Sequence, residues 1–124
     1  MLKRIDRVLI RVNDVTEAAN FYSDVFGLKP IWWDDQRAQA GLLFQDSETE
    51  IVLHTDPYIP SQVEIHYLVD DVATAVRKYA EQGCKILTEP FDLSQGKCAV
   101  IQDPFGIRLC ILDRSKRAME NYLS

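Results

Sequence analysis

Two stretches of this chain, 57 positions apart, carry one pattern, and that repeat constrains the fold more than any other feature. Val12-Asn13-Asp14-Val15 returns as Val69-Asp70-Asp71-Val72, and Tyr22 returns as Tyr79 at the same spacing. Around each copy the residues read as strand, helix and three further strands. One such half buries too little surface to be stable alone, so the two are expected to share one structure.

In the first half, Val8, Ile10 and Val12 alternate with Arg7, Leu9 and Arg11, which predicts a strand over 5–12. Asp14 is a helix N-cap with Glu17 at capping-box spacing. Val15, Ala18, Ala19, Tyr22 and Phe26 recur at helical intervals, and Gly27 supplies the left-handed stop, so 15–26 is predicted as helix. Strands follow at about 29–35, 38–45 and 50–55, with a turn at Asp46-Ser47-Glu48. The prolines of 56–61 exclude a central strand and mark a linker. The second half predicts a strand over 63–69, a helix capped by Asp71 and ended by Gly83, and strands at about 85–88, 97–102 and 107–113. Asp103-Pro104-Phe105-Gly106 fits a type I turn. The turns are too short for parallel crossovers, so each run of three strands is expected to be antiparallel.

The fold class expected is α+β: paired β-α-β-β-β modules forming a cupped, antiparallel-rich sheet with helices on its outer face. Residues 1–124 read as a single domain, with module 1 over 5–56, module 2 over 63–113 and a tail over 114–124. The tail is basic at its start and reads as a short helix, with Met119, Tyr122 and Leu123 packed down, or as a frayed terminus.

Composition narrows the function classes. The chain of 124 residues carries a net charge of −5 and no large basic block, which argues against nucleic-acid binding. No apolar run approaches a membrane span, and the charged start, Met1-Leu2-Lys3-Arg4-Ile5-Asp6-Arg7, leaves no core for a signal peptide. An intracellular, cytoplasmic protein with no membrane partner is expected. Three cysteines, Cys84, Cys98 and Cys110, with no CxxC, predict reduced thiols rather than disulfides or a zinc ribbon.

The strand period of two sorts the sheet residues into two faces. Val8, Ile10, Ile51, Leu53, Ile65, Val69, Leu109 and Ile111 fall on the face expected beneath the helices. Arg7, Leu9, Arg11, Glu50, Val52, His54, Glu64, His66, Leu68, Arg108, Cys110 and Leu112 fall on the other. Both histidines of the chain stand on this mixed face.

The duplication, together with Asn20-Phe21-Tyr22, Phe26-Gly27-Leu28 and Val100-Ile101-Gln102-Asp103-Pro104-Phe105-Gly106, resembles the vicinal oxygen chelate superfamily of glyoxalases, bleomycin-resistance proteins and extradiol dioxygenases. The resemblance covers 5–113. It implies a homodimer, and a divalent ion held by four side chains whose positions correspond here to Arg7, Val52, Glu64 and Cys110. Arg7 and Val52 offer no ligand atom, so no metal is expected at the family positions.

The leading expectation is a small-molecule-binding protein like the drug-sequestering resistance proteins, with no cofactor and a ligand carrying an anionic or electron-rich group. Arg7, His54, Glu64, His66, Arg108, Cys110 and Trp33 are the candidate binding residues. Arg7 suits either a ligand or a pairing with Glu64; Arg108 suits a clamp or a pairing with Glu50. Trp32 and Trp33 must point to opposite faces, which leaves open the one that meets the ligand. Whether a reaction is catalysed also stays open. His54, His66 and Glu64 are the candidate acid–base groups, or ligands of a divalent metal at a displaced site in a lyase or dioxygenase-type enzyme. A non-catalytic structural domain is the third alternative.

Overall fold

The computed structural model describes residues 1–116. The order of elements is β1 (Arg4–Arg11), α1 (Val15–Phe26), β2 (Lys29–Trp33), β3 (Gln39–Leu43), β4 (Glu50–His54), β5 (Val63–Leu68), α2 (Val72–Glu81), β6 (Lys85–Leu93), β7 (Gly96–Gln102) and β8 (Arg108–Leu112). This is the α+β fold of two β-α-β-β-β runs. Of the expected tail, residues 117–124 lie outside the described residues. Among the described residues no helix is long and apolar enough to cross a membrane.

The chain forms two compact units, Ile5–Ile65 and Met1–Arg4 with the residues from His66 on. In the first, β2, β3 and β4 pair antiparallel and β1 lies parallel to β4. Asp14 caps α1 by accepting from the Glu17 N–H at 3.0 Å, and Gly27 at φ 77° ends it. Val15 and Ala19 of α1 then pack with Leu28, Ala40, Leu42, Ile51 and Leu53 as one core, joined by Val8 and Ile10.

In the second unit, β6, β7 and β8 pair antiparallel and β5 lies parallel to β8. Asp71 caps α2 through the Thr74 N–H. Val72, Ala75 and Val76 pack on Val69, Ala99, Ile101 and Ile111, with Tyr67 and Leu109 at the margin. The Asp103 carboxylate accepts from the N–H groups of Phe105 and Ile107, and Gly106 adopts φ 87°, closing the β7–β8 turn. Both cores use the apolar parity read from the sequence; Ile65, at the start of β5, stays exposed and joins neither.

One strand is longer than its sequence predicts. β6 continues past residue 88 to Leu93, through Pro90. Its ladder with β7 shifts register between Ile86 and Thr88 and again between Thr88 and Phe91. Proline lacks a ladder donor, but an irregular strand that pairs with β7 alone in its unit tolerates that loss.

Candidate binding site on the sheet face away from the helices

The register pairs carry the mixed face from strand to strand. In the first unit, Arg7 stands opposite Glu50, Leu9 opposite Val52, and Arg11 opposite His54. On β3, Gly41 and Gln39 stand opposite Val52 and His54. In the second unit, His66 stands opposite Cys110, which stands opposite Val100, and Leu68 opposite Leu112, which stands opposite Cys98. These residues face away from the apolar clusters, yet Val52, His54, His66, Cys98 and Cys110 are all buried. Buried imidazoles on that face need partners, because an unsatisfied buried polar group is costly.

His54 is the most informative of them. It is 1% exposed. Its Nδ1 accepts a hydrogen bond from the Asp56 N–H at 3.0 Å. In neutral imidazole an accepting Nδ1 leaves the proton on Nε2. That Nε2–H donor is buried and has no hydrogen-bond acceptor among the described residues. The same tautomer keeps Nε2 from offering a lone pair, so His54 is unsuited to ligating a metal.

Burial drives the His54 pKa below its ordinary value; Asp56 opposes this, Arg11 adds to it, and Glu64 opposes it. The sign of the linkage follows. Below about pH 6.5 the unfolded chain protonates His54 while the folded chain does not. The unfolded state then binds more protons, so stability is lost as pH falls from 6.5 toward the native pKa and is flat above 6.5. Urea-unfolding midpoints measured at pH 7.5, 6.5 and 5.5 are expected to decline more steeply in the parent than in His54→Phe.

The sequence candidates are distributed as follows. Glu64, His66 and Cys110 come together on β5 and β8: their ligand atoms all lie within 4.8 Å of one another, with His66 and Cys110 buried and Glu64 half-buried. This trio differs from the displaced set expected, in which His54 joined His66 and Glu64; the Asp56 contact gives His54 another role. Arg7 is half-buried on β1, and Arg108 is exposed at the start of β8. Trp33, expected among the binding residues, packs on the first core, with the Arg37 guanidinium 4.1 Å from its ring centroid. The bulge between Pro30 and Trp32 and the alternation of the strand put Trp32 on the other side.

Trp32 donates from its indole nitrogen to the Glu50 carboxylate. The two side chains lie across Gly41, where a Cβ would collide with both. Sequence reasoning passed over Gly41; a glycine inside a strand, which often marks close approach, was the signal available. Arg11 is held by carbonyls, its Nη1 donating to Ile59 at 3.0 Å and to Pro57 at 3.4 Å.

The four positions implied by the family resemblance do not fit a metal as a set, since Arg7 and Val52 supply no donor. The trio does offer one oxygen, one nitrogen and one sulfur donor.

The chain matches known proteins as follows. A family model described as "Glyoxalase/Bleomycin resistance protein/Dioxygenase superfamily" matches residues 4–111. No curated protein matches. Among solved structures, methylmalonyl-CoA epimerase from Mycobacterium tuberculosis is 18% identical with a TM-score of 0.75, over 96% of this chain and 93% of that one. The Streptomyces coelicolor methylmalonyl-CoA epimerase in complex with 2-nitronate-propionyl-CoA is 17% identical with a TM-score of 0.72, over 93% and 99%. A Legionella pneumophila structure described as NAD-dependent benzaldehyde dehydrogenase is 20% identical with a TM-score of 0.67, over 87% and 97%. At these identities the likeness is one of fold.

Proposed function

The chain belongs to the Glyoxalase/Bleomycin resistance protein/Dioxygenase superfamily, and from that premise we propose that it binds a small molecule without the family's four-ligand metal centre. The ligand presents an anionic or electron-rich acceptor, a carbonyl or oxyanion, to the sheet face turned from the helices. The observation that carries this reading is the buried His54 Nε2–H with no acceptor among the described residues. A ligand oxygen satisfies that donor and relieves the penalty of leaving it unpaired. Arg7 shares the parity of His54 on the first unit's sheet and is proposed to favour a negative group. A catalytic role for His66 and Glu64 is the second reading, and the convergence of these two with Cys110 favours it.

The homodimer is carried as a proposal too. On α1, Phe21, Val25 and Phe26 are exposed, where the repeat places Lys78, Gln82 and Gly83 in the second half. An apolar patch of that kind supports pairing of two copies.

Calorimetric titration with a panel of small organic acids and their acyl-CoA thioesters tests the binding reading. At least one is expected to bind with His54 intact, and His54→Phe is expected to weaken it about tenfold, the equivalent of roughly 1.4 kcal/mol. Undiminished affinity in His54→Phe, or a panel that leaves the parent untouched, would contradict it.

A further inference from the structure

The two residues that stand beside His54 in the first unit's sheet differ in what they are free to do. On β1, Arg11 is the register partner of His54, but its guanidinium is drawn to the linker, donating to the carbonyls of Ile59 and Pro57. On β3, Gln39 is the register partner of His54. Opposed residues of an antiparallel pair point to one face, with Cβ atoms about 4.5–5.5 Å apart. Gln39 is exposed, and its amide makes no hydrogen bond among the described residues. One buried imidazole N–H and one uncommitted amide NH₂ are therefore neighbours on the face turned from α1.

We propose that His54 and Gln39 together hold the carboxylate of a short-chain monocarboxylic acid, one oxygen accepting from the His54 Nε2–H and the other from the Gln39 amide. This rests on the binding reading above and narrows its acceptor to a free carboxylate. Two donors side by side match the two oxygens of a carboxylate, whereas an amide or thioester presents a single carbonyl oxygen. Both donors are neutral and Arg11 is committed elsewhere, so the pair suits a singly charged carboxylate rather than a doubly charged phosphate.

The same face sets a length. Two residues back along β4 from His54 stands Val52, with Gly41 opposite it on β3. Trp32 and Glu50 meet across Gly41 and leave no room there even for a Cβ. That step along the strand is about 7 Å, which gives the acid an apolar tail of about three or four carbons before it meets the indole. Gln39 is thus assigned to the choice of head group and Trp32 to the choice of chain length.

Calorimetric titration at pH 7.5 with butyrate, octanoate, butyramide and inorganic phosphate tests this. Butyrate is expected to bind roughly tenfold or more tighter than butyramide or phosphate, and tighter than octanoate. Gln39→Leu is expected to bring butyrate down to the level of butyramide. Gln39→Glu, which keeps the shape and replaces the donor by a charge, is expected to abolish butyrate binding. Trp32→Ala is expected to lift octanoate at least to the level of butyrate. Equal affinity for butyrate and butyramide in the parent, or butyrate affinity unchanged in both Gln39 variants, would overturn the proposal and leave the His54 reading in place. Octanoate bound by the parent as tightly as butyrate would overturn the length limit. Failure of both carboxylates to bind would overturn the proposal alone, because the His54 reading is tested on the wider panel of acids and thioesters. Butyrate affinity lowered in the Gln39 variants but untouched in His54→Phe would overturn the His54 reading and, with it, the paired clamp.

Discussion

Asp113→Ala is expected to cost about 2–5 kcal/mol of stability at neutral pH, more than any other single polar change in the second unit. Asp113 is 1% exposed. One carboxylate oxygen accepts from the Val72 N–H at 2.9 Å, at the first turn of α2. The other accepts from the Lys97 N–H at 2.9 Å and from the Ser115 hydroxyl at 2.9 Å. Alanine leaves those backbone donors unpaired in the interior, and each such orphan costs about 1–3 kcal/mol. Gly96 lies against Asp113 so closely that a Cβ there would strike it, which leaves little room for rearrangement.

The same residue gives an acid signature. Burial pushes the Asp113 pKa up, but the Val72 and Lys97 N–H groups and Ser115 together hold it below the ordinary carboxylate value. Its contribution is therefore present above the unfolded pKa and is lost as pH falls through the lower folded pKa. Urea unfolding at pH 7 and pH 3 checks both points: the gap between parent and Asp113→Ala is expected to shrink at the lower pH.

Leu53→Ala is expected to destabilise the first unit by about 2–5 kcal/mol. Leu53 is fully buried among Val15, Ala19, Leu28, Ala40 and Ile51. Truncation removes its transfer energy and leaves a cavity between α1 and β4 that the surrounding backbone fills only in part. The neighbouring His54 points to the opposite face, so Val52→Ala, on the face of His54, is the informative companion. Chemical denaturation measures both stabilities, and a loss below about 1 kcal/mol for Leu53→Ala would mean that the packing around it is loose.

Much of the fold was legible because its signals are local or periodic. The α1 boundaries follow from Asp14, the helical spacing of Val15 to Phe26, and Gly27. The sheet faces follow from strict alternation, in which a one-residue slip would expose every aliphatic. The extent of β6 was not legible, because Pro90 reads as a break until the irregular pairing with β7 alone is known. The site was legible only in part. Parity placed Glu64, His66 and Cys110 on one face, but parity cannot say which residues converge. The role of His54 depends on the backbone N–H of Asp56, a contact with no side-chain signature. Alternation separates Trp33 from Trp32 without saying which of them the core takes, and it is Trp33 that packs on the first core. Asp113 went unnoticed, since a carboxylate at a strand end reads as solvated until its backbone partners are seen.

The central claim, that His54 presents a buried neutral N–H to a ligand, is tested most directly by the imidazole nitrogen spectrum. The chain has two histidines, so long-range proton–nitrogen correlations of ¹⁵N-histidine protein give two ring systems, and His54→Phe assigns them. The account predicts His54 in the neutral tautomer protonated on Nε2 at pH 7, titrating below the ordinary imidazole value, with its Nε2–H resonance moving when the tightest-binding acid of the panel is added. An imidazolium pattern at pH 7, or a neutral ring protonated on Nδ1, would contradict it.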